Sequence, residues 1–255
     1  MGEKCTVRLS IRNLKKSFAA ADKTIRTVVD DVSFDVEDNE FLVLLGPGQC
    51  GKSVMLNIMS GLLSADEGQV LLDGEPVTKP NPHMGMVFQK LGMLPWKTVW
   101  QNVELGPKMR GVKPADRKEN VQKCIDLVGL TGFEKHYPRQ LSGGMKQRVG
   151  IARAYANDPE ILVMDEPFGQ LDAQTRYNMQ EEIQRIWSTQ KRTIIFVTNN
   201  IEEALYLGDR IILLSACPAK IKAVYPIDLP RPRDMLDPEF LRLRKEISDN
   251  TEFAM

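Results

Sequence analysis

The sequence predicts one α/β domain with a helical insertion, and three observations predict it. Short apolar runs of strand length, "FLVLL" at 41–45, "ILVM" at 161–164 and "TIIFV" at 193–197, end in turn or polar residues. Between them lie segments whose apolar residues recur at helical spacing. No repeat, low-complexity tract or Gly/Ser linker divides the 255 residues, and a 42% hydrophobic composition suffices for a sizeable core.

The elements follow in order. Val7, Leu9 and Ile11 alternate as in a half-buried strand, and "VVDDVSFDV" reads as a second strand leading to the continuous apolar "FLVLLG". The helix "SVMLNIMSGLL" comes next. In "QVLLDGEPV" the pair Asp73-Gly74 stands between two apolar runs, as a tight hairpin prefers. From Pro107 to about Asn157 the pattern is mostly helical and more charged, and the insertion is read over about 90–157. The strand "EILVMD" follows, then a helix with Met179, Ile183, Ile186 and Trp187 on one face, then the strand "TIIFVT". A short amphipathic helix at about 237–249, with Phe240, Leu241, Leu243 and Ile247, closes the chain and leaves no room for another domain.

Composition excludes several classes. The 34 basic residues balance the 34 acidic ones, so no basic field marks nucleic acid as partner. No apolar run approaches the ~18 residues of a membrane-spanning helix, so any membrane role is peripheral. "MGEKCTVRLS" lacks the apolar region of a signal peptide, which places the chain in the cytosol, although it matches the loose M-G-x-x-x-[ST] myristoylation pattern. Cys5, Cys50, Cys124 and Cys217 stand far apart with no metal-ligand spacing and read as reduced thiols.

"GPGQCGKSV", Gly46 to Val54, fits G-x-x-x-x-G-K-[ST] between a buried strand and a helix. Backbone amides from Gly48 to Ser53, through Gln49, Cys50 and Gly51, can wrap a β-phosphate while the helix N-terminus adds a favourable field. Lys52 would neutralise the β and γ phosphates, and the Ser53 hydroxyl would bind Mg²⁺. "ILVMDEP" brings Asp165 and Glu166 to the end of a buried strand, where Asp165 would hold Mg²⁺ and Glu166 would polarise the attacking water. An ordinary Gly-rich turn and two solvated acids are the bland alternatives; the order of the two motifs favours a nucleotide site.

"YPRQLSGGMKQRVGIARA", Tyr137 to Ala154, closely resembles the signature of the ATP-binding-cassette family, a Leu-Ser-Gly-Gly run opening a helix. Ser142 can cap that helix while Gly143 and Gly144 bare its amides, giving a second anion-binding end. The resemblance covers nearly the whole chain. It implies a P-loop NTPase (RecA-like) core with an antiparallel β subdomain and a helical signature subdomain, all within one ATP-binding domain over 1–255. It implies ATP and Mg²⁺ as cofactors and head-to-tail pairing with a second ATP-binding subunit, a homodimer ahead of a heterodimer. It further implies transmembrane permease subunits at the cytoplasmic face of the cell membrane and, indirectly, an extracytoplasmic solute-binding protein.

Further positions take roles from the same resemblance. Phe18 in "LKKSF" falls where an aromatic ring stacks on adenine, although its place in the pattern alone reads as core. Gln89 in "MVFQK" matches the glutamine that touches Mg²⁺ and water, and Asp172 in "FGQLDA" matches the loop that crosses the dimer interface. "LGMLPWKTVWQNVELG" and "YPIDLPRPRD" look most like importers of nitrate, sulfonates and taurine.

The chain also departs from the family pattern. A serine and a glycine are usual where it has Gly48 and Gln49, and a threonine at Val54. The usual Thr-His-Asp is here Thr198, Asn199 and Asn200, so Asn199 takes the position of a histidine that contacts the γ-phosphate. Two other classes stay open: a soluble cassette ATPase of translation or DNA repair, which the single cassette and missing coiled-coil insertion oppose, and a cassette impaired in hydrolysis or paired with a non-identical one, which Asn199 favours.

Overall fold

The computed structural model describes residues 6–19 and 23–251, so residues 1–5, with most of the myristoylation match and Cys5, lie outside the described residues. In chain order the elements are β1 (Val7–Ala19), β2 (Ile25–Glu37), β3 (Phe41–Leu45), α1 (Lys52–Met59), β4 (Glu67–Leu72), β5 (Glu75–Pro76), β6 (Met84–Val87), α2 (Val99–Val103), α3 (Leu105–Met109) and α4 (Pro114–Leu127). Then come α5 (Gly143–Tyr155), β7 (Ile161–Asp165), α6 (Ala173–Thr189), β8 (Thr193–Thr198), α7 (Ile201–Leu207), β9 (Arg210–Leu214), β10 (Ile221–Pro226) and α8 (Pro238–Asn250). They form two compact units, one of Met1–Asn81 with Thr193–Met255 and one of Pro82–Arg192.

The first unit holds an antiparallel sheet of order β2-β1-β4-β5. Leu9, Ile11 and Leu14 of β1 and Val29, Val32 and Val36 of β2 are fully buried; the odd steps from Ile11 to Leu14 and from Val29 to Val32 break strict alternation where the β1–β2 ladder shifts register. Asp73 and Gly74 have φ of 50° and 84°, the two positive angles of a two-residue hairpin turn, and Leu72 pairs Glu75 across it. A second ladder places β3 between β8 and β9, parallel to both, with β10 antiparallel on β9. A strand covered on both sides has no face to leave polar, and every residue of β3 and β8 is buried.

Beyond β10 the chain is strapped to α7. The buried Arg233 guanidinium donates to the carbonyls of Leu205 and Gly208 at 2.5 and 2.7 Å, satisfying orphan acceptors at the end of that helix. Burial, helped by repulsion from the Arg231 cation and opposed by the Asp209 carboxylate, pushes its pKa down to about 10. On α8, Phe240, Leu243 and Ile247 are buried but Leu241 is 42% exposed, a correction to the predicted face. Adjacent helical residues point about 100° apart, so Phe240 and Leu241 cannot share one narrow stripe.

In the second unit β6 and β7 pair in parallel, and the helical stretch is broken into separate short helices rather than running through. Asn102, fully buried on α2, ties the preceding loop to that helix: its side chain receives the Leu94 N–H at 2.9 Å and donates to the Lys97 and Thr98 carbonyls at 3.0 and 2.9 Å. The α6 face carrying Met179, Ile183, Ile186 and Trp187 is buried as its spacing predicts. No described helix is long and apolar enough to cross a membrane.

Candidate functional site

Within the first unit the buried strand β3 delivers the chain into Gly46, and α1 begins six residues later at Lys52. Gly51 has φ 119°, and a Cβ there would stand 2.8 Å from the Val28 carbonyl oxygen, so only glycine fits. Lys52 is 3% exposed, and its ammonium donates to the carbonyls of Gly46 (2.9 Å) and Pro47 (2.7 Å), which aims a cation along the loop. Ser53 is exposed at the first turn of α1, and Val54 is half-buried behind it. Cys50 packs under the loop, where burial pushes its thiol pKa up and keeps it a neutral filler.

The two departures in this loop have a structural reading. Gly48 would tolerate a Cβ, with nothing within 4 Å, and its φ is not left-handed. Gln49 has φ 61°, the left-handed region that costs a non-glycine residue about 1 kcal/mol or more. The glycine stands beside the position that needs one.

β8 ends at Thr198, level with Leu45 of β3, and the Gly46 N–H donates to the Thr198 carbonyl at 3.4 Å. Asn199 therefore directly follows a residue bonded to the first glycine of the loop. Asn200 is the N-cap of α7, its Oδ1 receiving the Glu203 N–H at 3.0 Å, while Asn199 is exposed between strand and cap. The two neighbouring amides are thus different in kind: one caps a helix, and the other is exposed. Phe18 on β1 is 41% exposed with the Lys16 ammonium over its ring, 5.5 Å from the centroid, which corrects the core reading.

In the second unit β7 is buried through Met164, and Asp165 and Glu166 emerge half-buried at its end. Glu166 has φ 42°, a strained angle for a residue with a Cβ. The Gln89 amide Nε2, two residues past β6, donates to Glu166 Oε2 across 3.4 Å. Sequence spacing of 77 residues carries no signal for that pairing; the β6–β7 ladder creates it.

The signature helix α5 opens as predicted. Ser142 is its N-cap, with Oγ receiving the Met145 N–H at 3.3 Å. A Cβ on Gly144 would stand 2.8 Å from Thr175 Cγ2, and one on Gly143 would stand 3.5 Å from Leu171, so the helix start packs on the beginning of α6. Asp172 is the N-cap of α6, receiving the Thr175 N–H at 3.0 Å, and that backbone bond is the main reason its carboxyl pKa is lowered. Ser142 and Asp172 are thereby fixed as two neighbouring polar caps.

A glycine-bounded loop leading from a buried parallel strand into a helix with Lys52 at its start defines a phosphate-loop nucleotide-binding protein, and the capped signature helix narrows the class. Comparison with known proteins agrees. The family described as ABC transporter matches residues 29–169. An uncharacterized ABC transporter ATP-binding protein of Methanocaldococcus jannaschii is 47% identical over 245 residues, 96% of this chain and 91% of that protein. The aliphatic sulfonates import ATP-binding protein SsuB of Bacillus cereus is 42% identical over 246 residues, 96% of each chain. Among solved structures, a dimeric bacterial ABC transporter cassette matches with TM-score 0.75 and 29% identity, covering 89% of this chain and 99% of that one. The same cassette dimer in a post-hydrolysis state bound to ADP and Pi matches with TM-score 0.74 and 28% identity, again over 89% and 99%. This chain belongs to the ABC transporter family, with the fold of its ATP-binding cassettes. It is an ATP-binding subunit and an ATPase.

Proposed function

We propose that the chain energises uptake of a small anionic solute of the sulfonate or nitrate class, paired with a second copy of itself beneath permease subunits on the cytoplasmic face of the cell membrane. The observation that carries this reading is that one chain presents two anion-binding features, the loop Gly46–Ser53 and the capped start of α5 at Ser142. One phosphate tail needs one cradle, so the second feature serves ATP held by a partner subunit. The chain's similarity to an aliphatic sulfonates import ATP-binding protein supports the solute class, while an extracytoplasmic solute-binding protein would act only through the permease.

The roles divide by chemistry. Gly46, Gly48, Gln49, Cys50, Gly51 and Val54 shape the loop, Lys52 neutralises the β and γ phosphates, and Phe18 stacks on adenine. Ser53, Gln89 and Asp165 offer a hydroxyl, an amide oxygen and a carboxylate, the hard donors that Mg²⁺ takes alongside phosphate oxygens and water. No group of three or more acidic, histidine or cysteine side chains could hold a metal ion among the described residues. Mg²⁺ when bound would neutralise charge developing on the phosphates. Glu166 accepts the proton of the attacking water, Asn199 faces the γ-phosphate, and Ser142, Gly143, Gly144 and Asp172 meet the partner's nucleotide across the dimer.

Uptake of labelled taurine, an alkanesulfonate and nitrate, measured in cells deleted for the chain and complemented with wild type or Lys52→Ala, tests the solute class. Wild type alone should restore at least one of them; three unaffected solutes would remove the anionic-solute reading. Asn199 supports a second reading, slow hydrolysis or pairing with a non-identical cassette, because its amide is shorter than a histidine and carries no titratable charge.

A further inference from the structure

Thr198 is a hub. Its carbonyl receives the Gly46 N–H at 3.4 Å, its hydroxyl receives the Asn200 N–H at 3.0 Å, and the same hydroxyl donates to Glu203 Oε2 at 2.6 Å. Glu203 in turn gives its own N–H to Asn200 Oδ1 at 3.0 Å, which closes a hydrogen-bonded ring through Thr198, Asn200 and Glu203, the residues flanking Asn199 included. Thr198 and Glu203 are 2% and 4% exposed, whereas Asn199 is exposed. On the other side, the carbonyl of Gly46 receives the Lys52 ammonium at 2.9 Å. Separate hydrogen bonds therefore link Lys52 to Gly46, Gly46 to Thr198, and Thr198 to a carboxylate in the interior.

A buried carboxylate carries a desolvation cost, so its placement on a seven-residue helix calls for a reason. Capping of α7 needs only Asn200. The Thr198 hydroxyl has a rotor of its own, and the bond to Glu203 is what fixes its lone pairs toward the Asn200 N–H. That fixes the backbone on both sides of Asn199. We propose that Glu203, acting through Thr198, is a positioning residue for Asn199, holding it beside the phosphate loop during hydrolysis. The proposal rests on the reading that Asn199 faces the γ-phosphate.

The test is a double-mutant cycle in the full chain, read by single-turnover hydrolysis of γ-labelled ATP and by titration of ATP binding. Thr198→Val keeps the side chain's shape and removes the hydroxyl, and Glu203→Gln keeps shape and changes the acceptor. Each should slow hydrolysis about tenfold, the scale expected of small misplacement at a reacting group, with ATP affinity changed less than twofold. Thr198→Ser, which returns the hydroxyl, should recover most of the rate. In an Asn199→Ala background the further loss from Thr198→Val should vanish. An undiminished loss in that background would overturn the positioning role while leaving Asn199 in place. If Asn199→Ala alone leaves the rate unchanged, the reading of Asn199 fails and the proposal falls with it.

Discussion

The Gln89 amide lies 3.4 Å from Glu166 Oε2, so the chain segment leaving β6 holds the carboxylate assigned to water activation. Removing that carboxylate's charge with Glu166→Gln should lower turnover about a hundredfold or more while sparing ATP binding. Because two anionic ligands then stay at the interface, this variant should shift from monomer to dimer on adding Mg-ATP, as measured by light scattering. Absence of any dimer at high protein concentration would count against the shared-site scheme.

The segment after Gln89 divides into an anchored part and an exposed tip. Arg153 donates to the carbonyls of Leu91 and Gly92, and Asn102 fixes Leu94, whereas Trp96 is 69% exposed. A large exposed aromatic on a loop held by hydrogen bonds fits a protein partner. Trp96→Ser should therefore release the permease in co-purification, with an unfolding midpoint close to wild type. A large loss of stability instead would assign Trp96 to local packing.

Asn199→His restores the longer, protonatable side chain at the switch. Removing one well-placed donor to transition-state charge costs about 3–4 kcal/mol, so histidine should raise turnover by up to a hundredfold or more in the assembled transporter. Adding Asn200→Asp should change little further, since an aspartate accepts the same Glu203 N–H that caps α7. Brisk wild-type turnover that histidine does not improve would make Asn199 an adequate substitute.

Gln49→Gly should stabilise the protein by about 0.5–1 kcal/mol, because the left-handed angle of 61° no longer opposes a side chain. Urea denaturation should show a higher midpoint with an unchanged slope. Gly48→Ser, in open space, should be nearly neutral in the same assay. A destabilising Gln49→Gly would mean that the glutamine side chain contributes more than its backbone angle costs.

Much of the site was legible in the sequence because its signals are local. The phosphate loop needs a strand, a few glycines, a lysine and a helix within one short stretch. Ser142 and Asp172 announce helix starts, since a cap bonds amides two or three residues ahead. The Asp73-Gly74 turn was legible for the same reason. Leu241 was misread because neighbouring apolar residues on a helix need not share its buried stripe, and Phe18 because strand alternation does not tell which surface a neighbouring sheet covers.

By itself the sequence determined the order of strands and helices, the phosphate loop, the capped signature helix and the family to which they belong. Tertiary structure alone decided that Gln89 meets Glu166, that Thr198 stands level with Leu45 beside Gly46, and that Glu203 is buried against the Thr198 hydroxyl. The reason is physical: strand pairing joins residues by register, whatever their separation along the chain. Which of two adjacent asparagines caps a helix and which is presented to solvent follows from that register.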